Sequence, residues 1–280
     1  MSDKQNAPSN ETPPRQGIRQ LFSTLLLLGL LAVLAVIVTT KWDDIKKNFQ
    51  PDDKGRNERR GMVDPPGDKA AELEAANKLT AFKDAKGGGE YLVISERIEP
   101  DKPEKRVTSI NYKGAKIDEE ALKQTARLYR IGTVIAADTN ITDDQLKYFS
   151  GLTMLTSLVL SKTSITDAGL SHLRPLANIQ ALHLSGTKVS DAGLDDIARL
   201  NSLKILNLSH TEVTDEGMKK LLPLTNLDWL LLSEMPLTDA ALDQLAGMKN
   251  LHRLTIDKTK VTAAGVDRLK KAIPALSVDQ

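Results

Sequence analysis

Three sets of side chains in this sequence carry groups that could do chemistry: four histidines, a series of serines and a series of aspartates. Ser161, Ser185, Ser209 and Ser233 recur every 24 residues, as do Asp143, Asp167, Asp191, Asp215 and Asp239. A nucleophilic serine needs a histidine and a carboxylate within hydrogen-bond reach, and His172, His183, His210 and His252 fall at unrelated phases of the 24-residue period. His172 is expected to face solvent, and His183 and His210 are several residues out of step, so a shared metal is not expected. The aspartates would lie about 5 Å apart if the period stacks, close enough for calcium in principle. Each follows a Thr or Ser and opens a helical pattern, however, so helix capping is the simpler role. Nucleotide, zincin and nucleophile-elbow motifs are absent. Catalysis and cofactors are therefore not expected.

The period itself is the strongest signal. Rows of 24 residues start at Val107, Ile131, Leu155, Ile179, Leu203, Leu227 and Leu251, without insertion. Fixed self-similarity of this length is the mark of a solenoid. Columns 1, 4 and 6 are apolar, as in Leu155, Leu158 and Leu160, which suits a short strand. Columns 16, 19 and 22 are apolar too, as in Leu170, Leu173 and Leu176, and predict one face of a helix. Column 11 is Ile, Val or Leu in every row, and column 12 is Asp118, Thr142, Thr166, Ser190, Thr214, Thr238 and Thr262, all N-cap residue types. Column 13 is acidic in six of the seven rows, favourable beside a helix N-terminus.

An LxxLxL strand, a turn, then an I/V-T-D-x-G-L helix start resembles the leucine-rich repeats of bacterial TDAGL type, from residue 107 to about 278. Column 9 departs from that pattern: Ala115, Thr139, Thr163, Thr187, Thr211, Met235 and Thr259 stand where Asn or Cys is usual. A Thr ladder can still hydrogen-bond the turn. The resemblance implies an α/β leucine-rich repeat solenoid of seven strand–turn–helix units, with columns 3, 5 and 7 facing outward on a concave sheet. Seven strands would make that sheet about 29 Å long. Most of the face is small and neutral. One corner differs: Ile205, Trp229 and Leu231 lie on adjacent strands, with Val159 further along and Arg253 and His183 at the margin. An apolar cluster with a polar rim fits the anatomy of an interface hot spot, so these six are the expected binding residues. The competing expectation is that neighbouring chain covers Trp229.

The rest of the chain is expected to hold the solenoid. Residues 1–20 are polar and Pro-containing, a disordered tail. Residues 21–40, LFSTLLLLGLLAVLAVIVTT, carry no charge and match the hydrocarbon thickness as a helix, predicting a single transmembrane anchor. Residues 41–67 form a charged Pro/Gly linker whose Arg56, Arg59 and Arg60 could touch anionic lipid. Residues 68–106 are expected to cap the solenoid with a helix and a strand, because a first repeat exposes an apolar end. Basic residues after the span favour a cytoplasmic repeat domain. A lone N-terminal span preceded by Lys4, Arg15 and Arg19, together with the resemblance, favours the outside, which is the expectation taken. With 38 basic against 37 acidic residues and few aromatics, nucleic acid is not an expected partner. The lack of cysteine excludes disulfides and thiolate metal sites. The expected function is a membrane-anchored, non-catalytic module binding a protein or another envelope macromolecule. A structural spacer or a cytoplasmic-facing adaptor is the alternative.

Overall fold

The computed structural model describes residues 69–85, 93–99 and 102–280. The expected tail, membrane span and linker lie outside these residues. Among the described residues, no helix is long and apolar enough to cross a membrane.

Helix α1 (Lys69–Ala85) is followed by a hairpin of β1 (Val93–Glu99) and β2 (Lys102–Asn111), paired antiparallel. Seven three-residue strands continue the sheet: β3 (Thr133–Ile135), β4 (Ser157–Val159), β5 (Ala181–His183), β6 (Ile205–Asn207), β7 (Trp229–Leu231), β8 (Arg253–Thr255) and β9 (Ser277–Asp279). Strand order follows chain order, and every pairing from β2 to β9 is parallel. The register is constant: Ser109, Thr133, Ser157, Ala181, Ile205, Trp229, Arg253 and Ser277 stand side by side. Equal row lengths bring the same column into line on every strand.

The return segments are more varied than the sequence implies. True helix occurs as α2 (Glu119–Ala126), α3 (Asp167–Leu170), α4 (Leu194–Ile197), α5 (Asp239–Leu245) and α6 (Ala263–Ala272). Asp143–Phe149, Ser171–Leu173 and Asp215–Leu221 are instead 3-10 helix. The column spacing is compatible with either helix. Apolar residues at 16, 19 and 22 repeat every three residues, the period of a 3-10 helix, and 3-10 also rises about 2.0 Å per residue, so few residues span the return.

One apolar core runs the length of the solenoid, from Ala75 and Leu79 of α1 to Leu276. Columns 4, 6 and 11 are buried in nearly every row, and Phe149, Leu170, Leu173 and Leu176 close it from the return side. At the N-terminal end α1 packs beside α2. Arg130 and Glu72 form a buried ion pair between the first row and α1, at 3.7 Å.

After each strand the chain turns through a left-handed residue at column 8. Gly114, Asp138, Lys162, Gly186, His210, Glu234 and Lys258 all have φ between 56° and 73°. Only two are glycine, so the turn holds side chains in a conformation that L-residues adopt reluctantly. The next column supplies compensation: the hydroxyls of Thr139, Thr163, Thr187, Thr211 and Thr259 donate to the column-6 carbonyl of their own row, at 2.6–2.9 Å. Met235 replaces this bond with burial.

Candidate binding surface

The aspartate series does more than sit at helix starts. Asp143 accepts from the backbone N–H of Thr166 at 2.9 Å and from its hydroxyl at 2.6 Å, one row further on. The same pair of bonds joins Asp167 to Ser190, Asp191 to Thr214, Asp215 to Thr238 and Asp239 to Thr262. Hydroxyl oxygens of Thr166, Ser190 and Thr238 also accept from the amide two residues on, so one side chain links the previous row and caps its own. The glycine of T-D-x-G follows from this. A Cβ on Gly169, Gly193, Gly217 or Gly265 would run into the carboxylate of Asp143, Asp167, Asp191 or Asp239. Column 15 of the sixth row is Ala241, where the Asp215 rung survives beside the longer helix α5. The series stops at both ends: Thr142 takes Gln145 in a capping box, and Ala263 offers no carboxylate.

The Thr262 amide and hydroxyl, with Arg268 beside them, hold the Asp239 carboxyl below its ordinary range. Among the described residues no group of acidic or histidine side chains is arranged to hold a metal. The column-12 signal was visible in the sequence, but its reading as a local cap missed the bond across rows. A Thr or Ser beside an Asp in five successive junctions was the clue.

The other face of the sheet presents columns 3, 5 and 7. Of the six residues expected to bind, four are buried: Val159, His183, Ile205 and Trp229. Leu231 and Arg253 are half-buried. Trp229 is only 8 % exposed, which differs from the outward anchor that the sequence suggests. Its burial has a local cause. Ile205 and Arg253 flank it at the same register on β6 and β8, and the Arg253 guanidinium carbon lies 4.1 Å from the Trp229 ring centre. The indole N–H donates to Thr255 Oγ1 at 3.2 Å. Side chains in one column are a strand spacing apart, so large neighbours cover each other.

Around this corner, Asn207 Oδ1 accepts from the Ser209 amide at 2.9 Å, and Ser209 Oγ accepts from the Ser233 amide at 3.1 Å. His183 is buried on β5, and burial pushes its pKa down to about 4, so the ring is neutral at physiological pH. The other histidines are scattered. His210 meets Glu234 at 2.6 Å on the turn edge, where Lys258 also reaches Glu234 at 3.1 Å. His252 meets Asp228 at 2.7 Å, and His172 is half-buried on the return side. Among the described residues no histidine is hydrogen-bonded to a column-7 serine as a base would have to be, although His210 follows Ser209 in the chain.

Residues 151–173, 176–198 and 199–222 match the family model described as Leucine Rich repeat. No curated protein sequence matches the chain. Among solved structures, an internalin (inlF) from Listeria monocytogenes is similar with 24% identity and a TM-score of 0.51, over 61% of this chain and 46% of that one. Internalin C2 from the same organism has 19% identity and a TM-score of 0.47, over 61% of this chain and 80% of that one. A leucine-rich repeat protein of Leptospira interrogans has 20% identity and a TM-score of 0.41, over 62% of this chain and 46% of that one. The chain thus spans less than half the length of the first internalin, and the likeness to it is one of fold. The matched stretches carry β4, β5 and β6 with their returns and are leucine-rich repeats; the strands on either side keep the same spacing and register, which fits a leucine-rich repeat solenoid.

Proposed function

We propose that this chain is a membrane-anchored, non-catalytic repeat module that holds a macromolecular partner, most simply a protein, on the outer face of its sheet. The supporting observation is rigidity with a face to spare. Cross-row bonds at columns 12 and 13 lock the return edge, while the opposite sheet face carries an apolar corner ending in Leu231 and Arg253. A preformed surface loses little conformational freedom on binding. Residues 21–40 would supply the anchor, and the repeats would lie outside the cytoplasm.

Two measurements test the reading. A photo-crosslinking residue at position 231 of the full chain in cells is expected to give a discrete adduct. The same group at Leu222, which is 40 % exposed on the return side, is expected to give none. The reverse pattern would move the binding face to the returns. For the side of the membrane, Ser277→Cys places one exposed thiol in a chain without cysteine. Labelling of intact cells by an impermeant maleimide is expected. Protection until lysis would put the repeats in the cytoplasm.

A spacer role is the second reading, and the burial of Trp229 favours it, since little large apolar area remains open on the sheet. Under that reading neither crosslinking position gives a discrete adduct.

A further inference from the structure

Arg253 is a cation with a braced position and idle donors. It is half-buried on β8, and its guanidinium lies over Trp229. Among the described residues its side chain makes no ion pair and no hydrogen bond, and neither Asp257, four residues on, nor Asp279 of β9 pairs with it. This contrasts with Arg174, Lys220, Lys258 and Arg268, each of which meets a carboxylate of a neighbouring row. A guanidinium offers five donors in a planar fork, suited to a bidentate carboxylate, and stacking on an indole holds that fork without using it. Leu231 stands on the adjacent strand, half-exposed, and beyond it Asn207 has no partner for its amide N–H group among the described residues, while its oxygen holds Ser209.

We infer that Arg253 anchors a carboxylate of a peptide partner, with Leu231 receiving an adjacent apolar side chain and Asn207 Nδ2 donating to the partner's backbone carbonyl. The inference rests on the reading of the sheet face as a protein-binding surface and names the chemistry that it selects. An acidic peptide is favoured over an anionic lipid surface by charge count. Columns 3, 5 and 7 of β5 to β8 carry a single Lys or Arg, Arg253, whereas lipid recognition by charge draws on clusters of about four to eight. Trp229 is in this account a positioning residue: it holds the guanidinium and meets the partner little.

The test is selection from a library of random linear peptides by the purified full chain in detergent micelles. Wild type is expected to enrich peptides with Asp or Glu beside Leu, Ile or Val. Arg253→Glu is expected to invert the charge preference toward Lys and Arg, a change that misfolding would not give. The best acidic peptide should bind Arg253→Gln roughly tenfold or more weakly, the usual loss for hydrogen bonds to a charged group. Enrichment without acidic preference, or an acidic preference retained by Arg253→Glu, would overturn the inference while leaving the proposed function standing. If no peptide is enriched, the inference falls, and crosslinking at position 231 decides the proposed function. The chain has two tryptophans, so Trp42→Phe makes Trp229 the sole source of tryptophan emission. If its emission then responds to dihexanoyl-phosphatidylglycerol but to no selected peptide, and Arg253→Glu abolishes the response, the occupant is lipid and the peptide assignment is wrong.

Discussion

The return edge and the sheet face of this solenoid are built from the same rows but treat polar groups in opposite ways. On the return edge, five carboxylates each accept two bonds from the following row, and a glycine is kept where a side chain would displace one. On the sheet face, the hydrogen-bond donors of Arg253 and of the Asn207 amide have no partner among the described residues, beside a buried tryptophan. The comparison teaches where specificity can reside. A column repeated in every row is occupied with holding rows together, and the positions that break their column are the ones free to recognise something.

That contrast can be broken most sharply at Trp229. If it were an exposed contact residue, Trp229→Ala would leave stability alone. Because it is covered by its column neighbours, the substitution is expected to cost about 3 kcal/mol, read from urea denaturation of the full chain. His183 should show the same buried character through pH. Its folded-state pKa, about 4, lies below the unfolded value of 6.5, so the unfolded chain binds the proton more readily. Stability should then fall as pH drops from about 6.5 toward 4, by at most about 3 kcal/mol, and His183→Gln should flatten the profile in that window. An unchanged profile would mean that the ring is open to water.

The ladder side gives intermediate effects. Gly217→Val forces a branched side chain against Asp191 and is expected to cost about 2 kcal/mol in the same denaturation assay. Ala241 sets the control: since a methyl group is already housed beside Asp215, Ala241→Gly should not strengthen that rung. Asp191→Ala removes the acceptor of the Thr214 amide and one acceptor of its hydroxyl, which keeps Glu216 Oε2 at 2.7 Å, and should cost about 1 kcal/mol at this partly wet position. The smallest effect belongs to Arg253→Ala. Losing the stack on Trp229 should cost about 0.5–1 kcal/mol, yet abolish the acidic preference in peptide selection. A large stability loss there would place Arg253 with the ladder, as a structural residue.

The fold was legible because the row length is constant. Columns 4, 6 and 11 announced a continuous core, and equal spacing sufficed to set a parallel, in-register sheet. The helical returns were only half legible. Spacings of three residues suit a helix face, and the same spacing is what a 3-10 segment displays. The ladder was hidden for another reason. Asp191 and Thr214 lie 23 residues apart, so their bond cannot be seen by inspecting either neighbourhood alone, whereas the cap of Thr238 on Ala240 can. At the Trp229 corner the sequence leaves contact and cover as alternatives, and the ring is buried. Alternation says which way a side chain leaves the strand, and says nothing of whether a large residue one strand over lies across it, as Arg253 does.

The rungs also bear on how such a chain can change length. Each joins column 13 of one row to column 12 of the next, and never two positions unique to a row. Deleting or duplicating 24 residues, from any starting point within the interior rows, therefore restores a donor to every acceptor at the new junction. A shift of one residue instead offsets the apolar columns and the carboxylates together. Whole rows are thus the natural unit of gain and loss, and the sheet face can be lengthened or shortened without new chemistry on the edge that secures it.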